Sequence, residues 1–347
     1  MDRDLMGTSN TKPVTSIDVA RLAAVSQSAV SRSFTPGASV SEATRAKVME
    51  AARMLGYRPN AIARTLSTRS SRMIAVVLNQ LQNQFYPLVL EKLSQRLQKE
   101  GYHVLLFISD NEDSDELLLE LMRYQVDGIV MASTMLSSRL AQEIAQARIP
   151  VVMFNRVSRV GSAGSISTVS SDNHGGARAV AHFLADGGHR RVAFLAGAEN
   201  SSTNLDRERG LLDGLAERGL RLAARALGDY AFDRAVKATL SLFRHDLSGQ
   251  GPDALFVASD HMAFAAIDTL RGALSLRVPE DVSVIGFDNV PQANWGAYRL
   301  TTVAQDASAM IEATVRTLLS QLEANAVTSE EVVVPTRLVI RDSARRP

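Results

Sequence analysis

Apolar and polar residues follow two different patterns along the chain. Up to about residue 60, apolar residues recur at intervals of three and four, which is the spacing of short amphipathic helices. From Met73 onward, short apolar runs alternate with longer amphipathic stretches, a pattern typical of parallel β-sheets covered by helices. The clearest runs are 73–78, 103–108, 128–132, 151–154, 191–196, 254–258 and 282–287. The pattern predicts a small all-α region followed by a larger α/β region.

Helix start signals divide the amino-terminal region into three segments. Thr15 and Asp18 form a T-x-x-D capping box, which predicts that a first helix starts there. Its apolar face is predicted to contain Ile17, Ala20, Leu22 and Ala23. Ser26 is a good N-cap for a second helix over about 27–34, and a third helix is predicted to open near Ser41.

The first two predicted helices fit a helix-turn-helix, in which the second helix enters a DNA major groove. Gln27, Ser28 and Arg32 can share the outward surface of that helix, while Val30 faces inward. Arginine pairs well with guanine, and glutamine pairs well with adenine. Any cluster of three helices also shows a capped helix with a polar face, so this pattern alone leaves a purely structural role open.

Charge separates the two regions. Residues 1–72 hold 11 Lys and Arg against 5 Asp and Glu, a net charge of +6, and the remainder is close to −5. A basic block favours contact with nucleic acid, although a solvated basic face without a partner has the same charge count. Hydrophobic residues make up 46% and charged residues 22%, which is an ordinary globular composition.

Several classes of chemistry are disfavoured by what the sequence lacks. The absence of cysteine excludes disulfides, thiolate metal sites and cysteine catalysis. The six histidines show no metal-ligand spacing, so no metal and no cofactor is expected. The opening residues do not resemble a signal peptide, and no apolar stretch approaches the ~18 residues that a membrane helix needs. We therefore expect a cytoplasmic protein that does not contact the membrane.

The stretch 14–68 closely resembles the headpiece of the lactose-repressor (LacI/GalR) family of bacterial transcriptional regulators. The likeness is ungapped through V-T-x-x-D-V-A-x-x-A-x-V-S-x-x-x-V-S-R, and it continues along the chain through FNRV, GHRRVAFLAG, VPEDVSVIGFDN and LTTVAQD. Ala24 departs from the family pattern, because the family's turn usually has glycine there. An alanine in a left-handed turn is expected to cost ~1 kcal/mol.

The resemblance implies a domain organisation. It predicts a helix-turn-helix DNA-binding headpiece over 1–58, a hinge helix and linker over 59–71, and an α/β core over 72–347. The core is expected to be periplasmic-binding-protein-like, with two doubly wound parallel-sheet lobes that bind an effector and dimerise. Its first lobe is predicted to comprise about 72–168 plus 302–324, and its second lobe about 169–301 plus 325–347. The Ser- and Gly-rich stretch 157–171 is expected to cross between the lobes.

The resemblance also implies which residues meet DNA. Gln27, Ser28 and Arg32 become the readers of the major groove, and 57–67 becomes a hinge helix that enters the minor groove. Leu66 is expected to wedge between base steps, with a core leucine as the alternative. The full predicted set is Thr15, Ser26, Gln27, Ser28, Ser31, Arg32, Asn60, Ala63 and Leu66. A near-palindromic operator read by two hinge helices implies a homodimer.

Polar residues that follow predicted strands indicate a ligand site in the core. In doubly wound sheets, ligands bind beyond the carboxyl ends of the strands, where Asn155, Asp260 and Asp288 are expected. Such side chains suit the hydroxyl groups of a sugar-like molecule. The resemblance implies that Arg207 grips the effector and that Phe85 and Tyr230 form aromatic walls. The full predicted set is Phe85, Asn155, Asp172, Arg207, Tyr230, Asp260 and Asp288.

Some of these assignments have equally simple alternatives. Asp172 and Asp260 both precede predicted helices, so each is as readily a helix N-cap as a ligand contact. Arg207 can instead pair with its neighbours Asp206 or Glu208.

The sequence favours a DNA-binding transcriptional regulator, a repressor, whose operator affinity is controlled by a small effector such as a sugar or sugar derivative. A plain solute-binding protein is a second candidate, but it leaves 14–68 unexplained and lacks a signal peptide. A nucleotide-dependent α/β enzyme is a third, but the sequence has no G-x-G-x-x-G fingerprint, P-loop or nucleophile elbow. The chain is therefore not expected to be an enzyme.

Overall fold

The computed structural model describes most of the chain. The described residues are 14–35, 37–58, 70–79, 81–109, 120–121, 123–132, 138–157, 166–243, 251–324, 326 and 328–347. The chain divides into two compact units, a first that ends at Ser71 and a second that covers Arg72–Pro347. The predicted hinge residues Asn60, Ala63 and Leu66 lie outside the described residues.

The first unit has three helices in its described residues, and each starts at the cap that the sequence predicts. They are α1 (Ser16–Ala23), α2 (Gln27–Ser33) and α3 (Glu42–Leu55). The hydroxyl oxygens of Thr15, Ser26 and Ser41 accept hydrogen bonds from backbone N–H groups three residues further on. These bonds satisfy amides that have no partner within the helix, so local sequence sets where each helix begins.

The core of this unit is narrower than the sequence predicts. Val19, Val30 and Val48 are almost fully buried and pack together, one from each helix. Ile17 and Leu22, predicted on the buried face of α1, are instead 53% and 48% exposed. A helix of eight residues contacts its neighbours along one thin stripe, which Val19 occupies together with two alanines.

The second unit consists of two α/β lobes, each built on a six-stranded sheet in the described residues. In spatial order, the first sheet contains β11 (Glu331–Val334), β5 (Ile166–Ser171), β4 (Val151–Phe154), β3 (Gly128–Ala132), β1 (Met73–Leu78) and β2 (His103–Ile108). The second contains β12 (Thr336–Val339), β10 (Thr301–Gln305), β9 (Ser283–Asp288), β8 (Ala254–Val257), β6 (Val192–Ala196) and β7 (Ala224–Leu227). Neighbouring strands are parallel, except that β10 and β12 are antiparallel.

Helices cover both sheets. They are α4 (Phe85–Lys99), α5 (Ser138–Ala147), α6 (Asn173–Asp186), α7 (Ser202–Glu217), α8 (Phe232–Phe243), α9 (Asp260–Asp268) and α10 (Ala307–Ala324). A π-helical turn, Thr269–Ala273, continues α9, and a 3-10 turn, Pro291–Asn294, follows β9. Each apolar run named from the sequence contains a strand, because most of these runs are buried between layers of helices.

Three segments lie in a different lobe from the one predicted. The strand β5 belongs to the first sheet, so that lobe extends to residue 171 and the stretch 157–171 is only partly a crossing segment. The strand β10 pairs within the second sheet, although 302–324 was assigned to the first lobe. The strand β11 pairs with β5 in the first sheet, although 325–347 was assigned to the second lobe. Strand pairing decides lobe membership, and the hydrophobic pattern does not reveal the partner of a strand.

In the described residues the chain passes between the lobes at three adjacent points: Asp172, Asp306 and Pro335. The N–H of Asp172 donates to the Val334 carbonyl at 2.8 Å, and the Thr336 hydroxyl donates to the Asp172 carbonyl at 3.1 Å. The first and third crossings are therefore held side by side. Parallel strands of both lobes end near these crossings, which is where a ligand site of this architecture is expected.

Candidate functional site

The outward face of α2 brings together most of the predicted DNA contacts. The residues on this face, Ser26, Gln27, Ser28, Ser31 and Arg32, are all exposed. Ala29, Val30 and Ser33 form the buried face of the same helix. A separation of four residues places Gln27 above Ser31 and Ser28 above Arg32 on one side of the helix. The geometry therefore presents a compact polar surface with an arginine and a glutamine.

Hydrogen bonds on this surface are local and exposed. Gln27 Nε2 donates to Ser16 Oγ at 3.0 Å, and Arg32 Nε donates to the Ser28 carbonyl at 3.3 Å. Because such bonds exchange readily with water, both side chains can turn their donors to a base edge. Thr15 differs, since its hydroxyl donates to the Asp18 carboxylate at 2.7 Å within the capping box.

The turn between α1 and α2 places Ala24 in a backbone conformation that is costly for alanine. Ala24 has φ 52° and ψ 46°, in the left-handed region that favours glycine. Its N–H contacts the carbonyls of Ala20 and Arg21, so the turn is held in place by α1.

A small cleft lies between the two lobes of the core. Its walls are Asn83, Phe85, Tyr86, Asn155, Arg156, Thr203, Arg207, Tyr230 and Asp288. The predicted effector residues among them are Phe85, Asn155, Arg207, Tyr230 and Asp288. The first lobe contributes the residues up to Arg156, and the second lobe contributes the rest.

Arg207 is held rigidly at the floor of the cleft. It lies on α7, is 2% exposed, and its guanidinium carbon is 3.7 Å from the centre of the Phe287 ring. Its Nε donates to Asn173 Oδ1 at 2.8 Å, Nη1 donates to the Ala258 carbonyl, and Nη2 lies 3.8 Å from Asp288 Oδ1. These contacts fix the direction of its remaining donors.

The alternative partners of Arg207 have other neighbours. Glu208 forms an ion pair with Arg225 at 2.7 Å, and Asp206 lies 4.0 Å from Arg209. Arg207 points toward Asp288, which supports a position in the cleft over a pairing with adjacent residues.

Asp288 is a buried carboxylate at the end of β9. Its Oδ1 accepts a hydrogen bond from Gln305 Nε2 at 2.6 Å, while its Oδ2 is buried with no well-formed hydrogen bond from the described residues. Burial raises the pKa of Asp288 to about 6, although the Arg207 charge and the Gln305 and Asn83 side chains act in the opposite direction. One oxygen of the Asp288 carboxyl group is therefore available to a donor.

Backbone strain is concentrated at the cleft. Asn155, Tyr230 and Asp288 have φ values of 56°, 55° and 134°, which side-chain-bearing residues rarely adopt. Each costs roughly 1–3 kcal/mol and persists only where the surroundings impose it, which is common at ligand sites. Asn155 Oδ1 is also buried without a hydrogen-bond donor among the described residues.

Asp172 and Asp260 do not line the cleft. Asp172 caps α6, where its Oδ1 accepts the Gly175 N–H at 2.8 Å. Asp260 is fully buried, and its carboxylate accepts hydrogen bonds from Thr302 Oγ1 at 2.5 Å and from the Val290 N–H at 2.9 Å. Burial, followed by the charge of Asp288, raises the pKa of Asp260 to about 7. Both acids are thus occupied by partners within the protein.

Sequence reasoning did not identify every residue of the cleft. Those missed are Asn83, Tyr86, Arg156 and Thr203. Asn83 lies two residues before Phe85, and Tyr86 directly follows it. Arg156 directly follows Asn155, and Thr203 precedes Arg207 by one helical turn. Each missed residue therefore lies within four positions of a predicted one.

Arg156 joins the two lobes across the cleft. It follows β4 of the first lobe, and its Nη1 donates to Thr203 Oγ1 of the second lobe at 2.5 Å. Its guanidinium carbon also lies 5.8 Å from the centre of the Tyr230 ring. Arg156 therefore forms a direct hydrogen bond from the first lobe to the second.

Comparisons with known proteins agree with this architecture. Residues 17–60 match the model of bacterial regulatory proteins of the lacI family, and residues 180–344 match that of the periplasmic binding protein-like domain. The chain is 31% identical to catabolite control protein A of Priestia megaterium over 96% of this chain and 99% of that protein. The chain belongs to the lacI family of bacterial regulatory proteins. As a member of the lacI family it is a DNA-binding transcriptional regulator.

Solved structures of lacI-family proteins share the fold. The Lac repressor dimer bound to operator and the anti-inducer ONPF has a TM-score of 0.82 and 27% identity, covering 96% of this chain and 99% of that one. The complex of the transcriptional regulator CelR with cellobiose has a TM-score of 0.71 and 29% identity, covering 95% and 99%. Among the described residues, no helix is both long and apolar enough to cross a bilayer.

Proposed function

We propose that this lacI-family protein is a cytoplasmic, homodimeric repressor that does not act as an enzyme. Its affinity for a near-palindromic operator is controlled by a sugar or sugar derivative in the cleft between the lobes. Phe85 and Tyr230 form the walls against the sugar ring, and Asn155, Arg207 and Asp288 hold its polar groups. Asp172 and Asp260 stay outside this set, because each already has partners within the protein.

One observation carries the effector assignment. Asn155 Oδ1 is a buried acceptor in the cleft wall without a hydrogen-bond donor among the described residues, and Asp288 Oδ2, also buried there, has no well-formed hydrogen bond from them. A buried polar group left unpaired costs roughly 1–3 kcal/mol, so an apolar occupant would leave both penalties in place. Hydroxyl groups donate to such oxygens and also accept from a fixed guanidinium such as that of Arg207. A small polyol therefore suits this cleft better than an apolar molecule.

The relatives support the same assignment. CelR is known in complex with cellobiose, and the Lac repressor is known as a dimer on its operator. Both share the fold of this chain over at least 95% of its length.

The operator is proposed to be read by the exposed face of α2. Gln27, Ser28 and Arg32 meet base edges, while Thr15, Ser26 and Ser31 contact the DNA beside them. Asn60, Ala63 and Leu66 are proposed to enter the minor groove as part of a hinge helix, an assignment that rests on the resemblance. The net charge of +6 over residues 1–72 favours the approach of this region to DNA.

The proposal is tested by giving the full chain both partners. The protein first selects duplexes from a random library, and the selected duplex is then titrated with and without D-ribose, D-glucose, D-galactose or cellobiose. We expect one selected sequence family, and a sugar that both raises the thermal unfolding temperature and changes duplex affinity. No preference over random duplex contradicts the DNA assignment. Stabilisation by none of these sugars contradicts the effector class.

Arg32→Ala separates base reading from general attraction. Specific binding should weaken by about 5- to 150-fold, because a bidentate arginine contact contributes ~1–3 kcal/mol of discrimination, whereas random-duplex binding should change much less. The control is Arg53→Ala on α3, since Arg53 is also exposed and is paired with Glu50 at 2.6 Å. Equal losses on selected and random duplexes would show that Arg32 contacts only phosphate.

A further inference from the structure

Two crossings between the lobes are connected to the effector cleft through buried polar side chains. Ser171 ends β5 directly before the crossing at Asp172, and Asn173 begins α6 directly after it. Gln305 ends β10 directly before the crossing at Asp306. All three side chains are buried, at 3%, 4% and 7% exposure, and none of them lines the cleft.

Four hydrogen bonds and one ion pair link these residues to two cleft residues in a ring, in which Ser171 takes part through both its main-chain carbonyl and its hydroxyl. Arg207 Nε donates to Asn173 Oδ1 at 2.8 Å, and Asn173 Nδ2 donates to the Ser171 carbonyl at 2.9 Å. Ser171 Oγ donates to Gln305 Oε1 at 2.8 Å, and Gln305 Nε2 donates to Asp288 Oδ1 at 2.6 Å. Arg207 Nη2, 3.8 Å from the same Asp288 oxygen, closes the ring. We refer to these five residues as the crossing ring.

The direction of every bond in the crossing ring is set by chemistry. An ionised carboxylate only accepts hydrogen bonds, so Gln305 must turn its nitrogen to Asp288 and its oxygen to Ser171. A guanidinium only donates, so Asn173 must turn its oxygen to Arg207 and its nitrogen to the Ser171 carbonyl. Reversing either amide would leave two donors or two acceptors facing each other, so Arg207 sets the orientation of Asn173 and Asp288 sets that of Gln305.

The Ser171 hydroxyl is the link that joins the two crossings. Its oxygen also lies 3.1 Å from Met310 Sδ, but sulfur is a weak acceptor and the Gln305 oxygen is both closer and stronger. Without this link, Asn173 and Gln305 would each still contact their cleft partner, but one crossing would no longer depend on the other.

We propose that the crossing ring transmits effector occupancy to the crossings, with Ser171 and Gln305 as positioning residues. The inference rests on the proposed function, because it requires an effector that engages Arg207 and Asp288. A ligand that moves either residue, or changes the charge around it, must be accommodated by the rest of the ring, since a broken buried bond is costly. The ring thereby makes the orientation of the lobes, and hence operator affinity, depend on the cleft.

The first test needs no effector. Ser171→Ala, Asp288→Asn and the double variant are unfolded with denaturant, and the same cycle is run with Ser167→Ala in place of Ser171→Ala. Ser167 is a matched control, since it lies buried on the same strand and its hydroxyl accepts from Gln321 Nε2 at 2.9 Å. Ser171 and Asp288 share no direct hydrogen bond and are connected through Gln305. We expect the effects of the two substitutions on the unfolding equilibrium constant to depart from additivity by about 5-fold or more, because Gln305 couples them. Additive effects for this pair overturn the ring.

The second test measures coupling in the full chain on its selected duplex. The probe is whichever of D-ribose, D-glucose, D-galactose and cellobiose changes duplex affinity in the wild-type protein. Ser171→Ala should reduce the sugar's effect on duplex affinity by about 2- to 30-fold, which is a larger change than in sugar affinity itself. Ser167→Ala should keep the full effect, whatever stability it loses. A merely structural role of Ser171 would lower stability in both variants and leave the sugar's effect unchanged.

The outcomes distinguish this inference from the proposed function. If no sugar of the panel binds, the effector class is wrong, and the cycle without effector still decides whether the ring exists. If a sugar binds and controls the duplex but Ser171→Ala responds as the wild-type protein does, the ring is overturned and the proposed function stands.

Discussion

The DNA-reading face and the effector cleft are built in opposite ways. The face of α2 draws its residues from one short stretch, Ser26 to Arg32, and exposes them with weak local hydrogen bonds. The cleft draws residues from Asn83 to Asp288, buries its charges and fixes them through contacts with a second layer of side chains. Exposed side chains that can change their hydrogen bonds suit contact with the base edges of DNA. Rigidly held side chains in the cleft allow a small ligand to affect residues that do not touch it.

The largest expected effect comes from removing the buried arginine. Arg207→Ala should weaken sugar binding by about 100-fold or more, because it removes fixed donors and leaves Asp288 buried without an opposite charge. Calorimetric titration with the sugar identified from the panel measures this loss. Binding to the selected duplex in the absence of sugar should persist.

The matched control is an arginine on the surface of the same lobe. Arg225 pairs with Glu199 and Glu208 at 2.8 and 2.7 Å, and its side chain is 31% exposed. Arg225→Ala should change the free energy of unfolding by about 1 kcal/mol or less and leave sugar affinity unchanged. A comparable loss of sugar affinity in both variants would contradict the contrast between buried and exposed charges.

A second test uses the pH dependence of stability. The pKa of Asp260, raised by burial to about 7, lies well above the ~3.9 of an unfolded aspartate. Between about pH 4 and 7 the folded protein therefore holds a proton that the unfolded chain lacks, so stability falls as pH rises through this window. Charged neighbours of Asp260 are Asp288, which strengthens the effect, and Arg341, which weakens it.

Asp260→Asn should remove this contribution. From about pH 5 to about pH 8, the wild-type protein is expected to lose more unfolding free energy than the variant, by on the order of 2 kcal/mol. Urea unfolding across that range measures the difference. Asp281→Asn is the control, because the hydrogen bond from Arg277 lowers the pKa of Asp281 to about 2, below the window. Identical slopes for the wild-type protein and Asp260→Asn would refute the proton linkage.

The smallest expected effect is on the stability of the headpiece, where an alanine and a glycine both have left-handed backbone conformations. Each can be replaced by the other residue type. Ala24 has φ 52° and Gly56 has φ 65°, each directly after a helix. Ala24→Gly should raise the free energy of unfolding of this unit by about 1 kcal/mol, and Gly56→Ala should lower it by a similar amount. Thermal unfolding followed by circular dichroism compares the two. Destabilisation by Ala24→Gly would mean that Ala24 makes a packing contribution larger than its strain.

The features that the sequence predicts correctly are mainly those that depend on neighbouring residues in the chain. Thr15, Ser26 and Ser41 cap helices because each hydroxyl oxygen accepts a hydrogen bond from the backbone N–H three residues further on. Arg207 and Asp288 were predicted for the cleft from resemblance and strand position, and the structure places both there. The role of Leu66 stays a prediction, since that residue lies outside the described part of the chain.

The predictions that were wrong concern strand pairing and the partners of buried side chains, which come from distant parts of the chain. The sequence predicts a crossing segment over 157–171, but its second part, 166–171, is the strand β5, because β4 and β11 supply its hydrogen-bond partners. Asp260 follows a strand as a ligand contact would, yet Thr302 and Val290 occupy its carboxylate from another part of the chain.

From its sequence alone, this protein has defined helix caps, alternating strand and helix periods, a basic amino-terminal region and an outward face on α2. Each of these properties depends on the residue types within one segment of the chain, so it does not require contacts between distant segments. Tertiary structure decided which lobe holds β5, β10 and β11, and it brought Ser171 within 2.8 Å of Gln305. Contacts between residues more than a hundred positions apart exist only after both sheets have formed, so no local pattern could contain them.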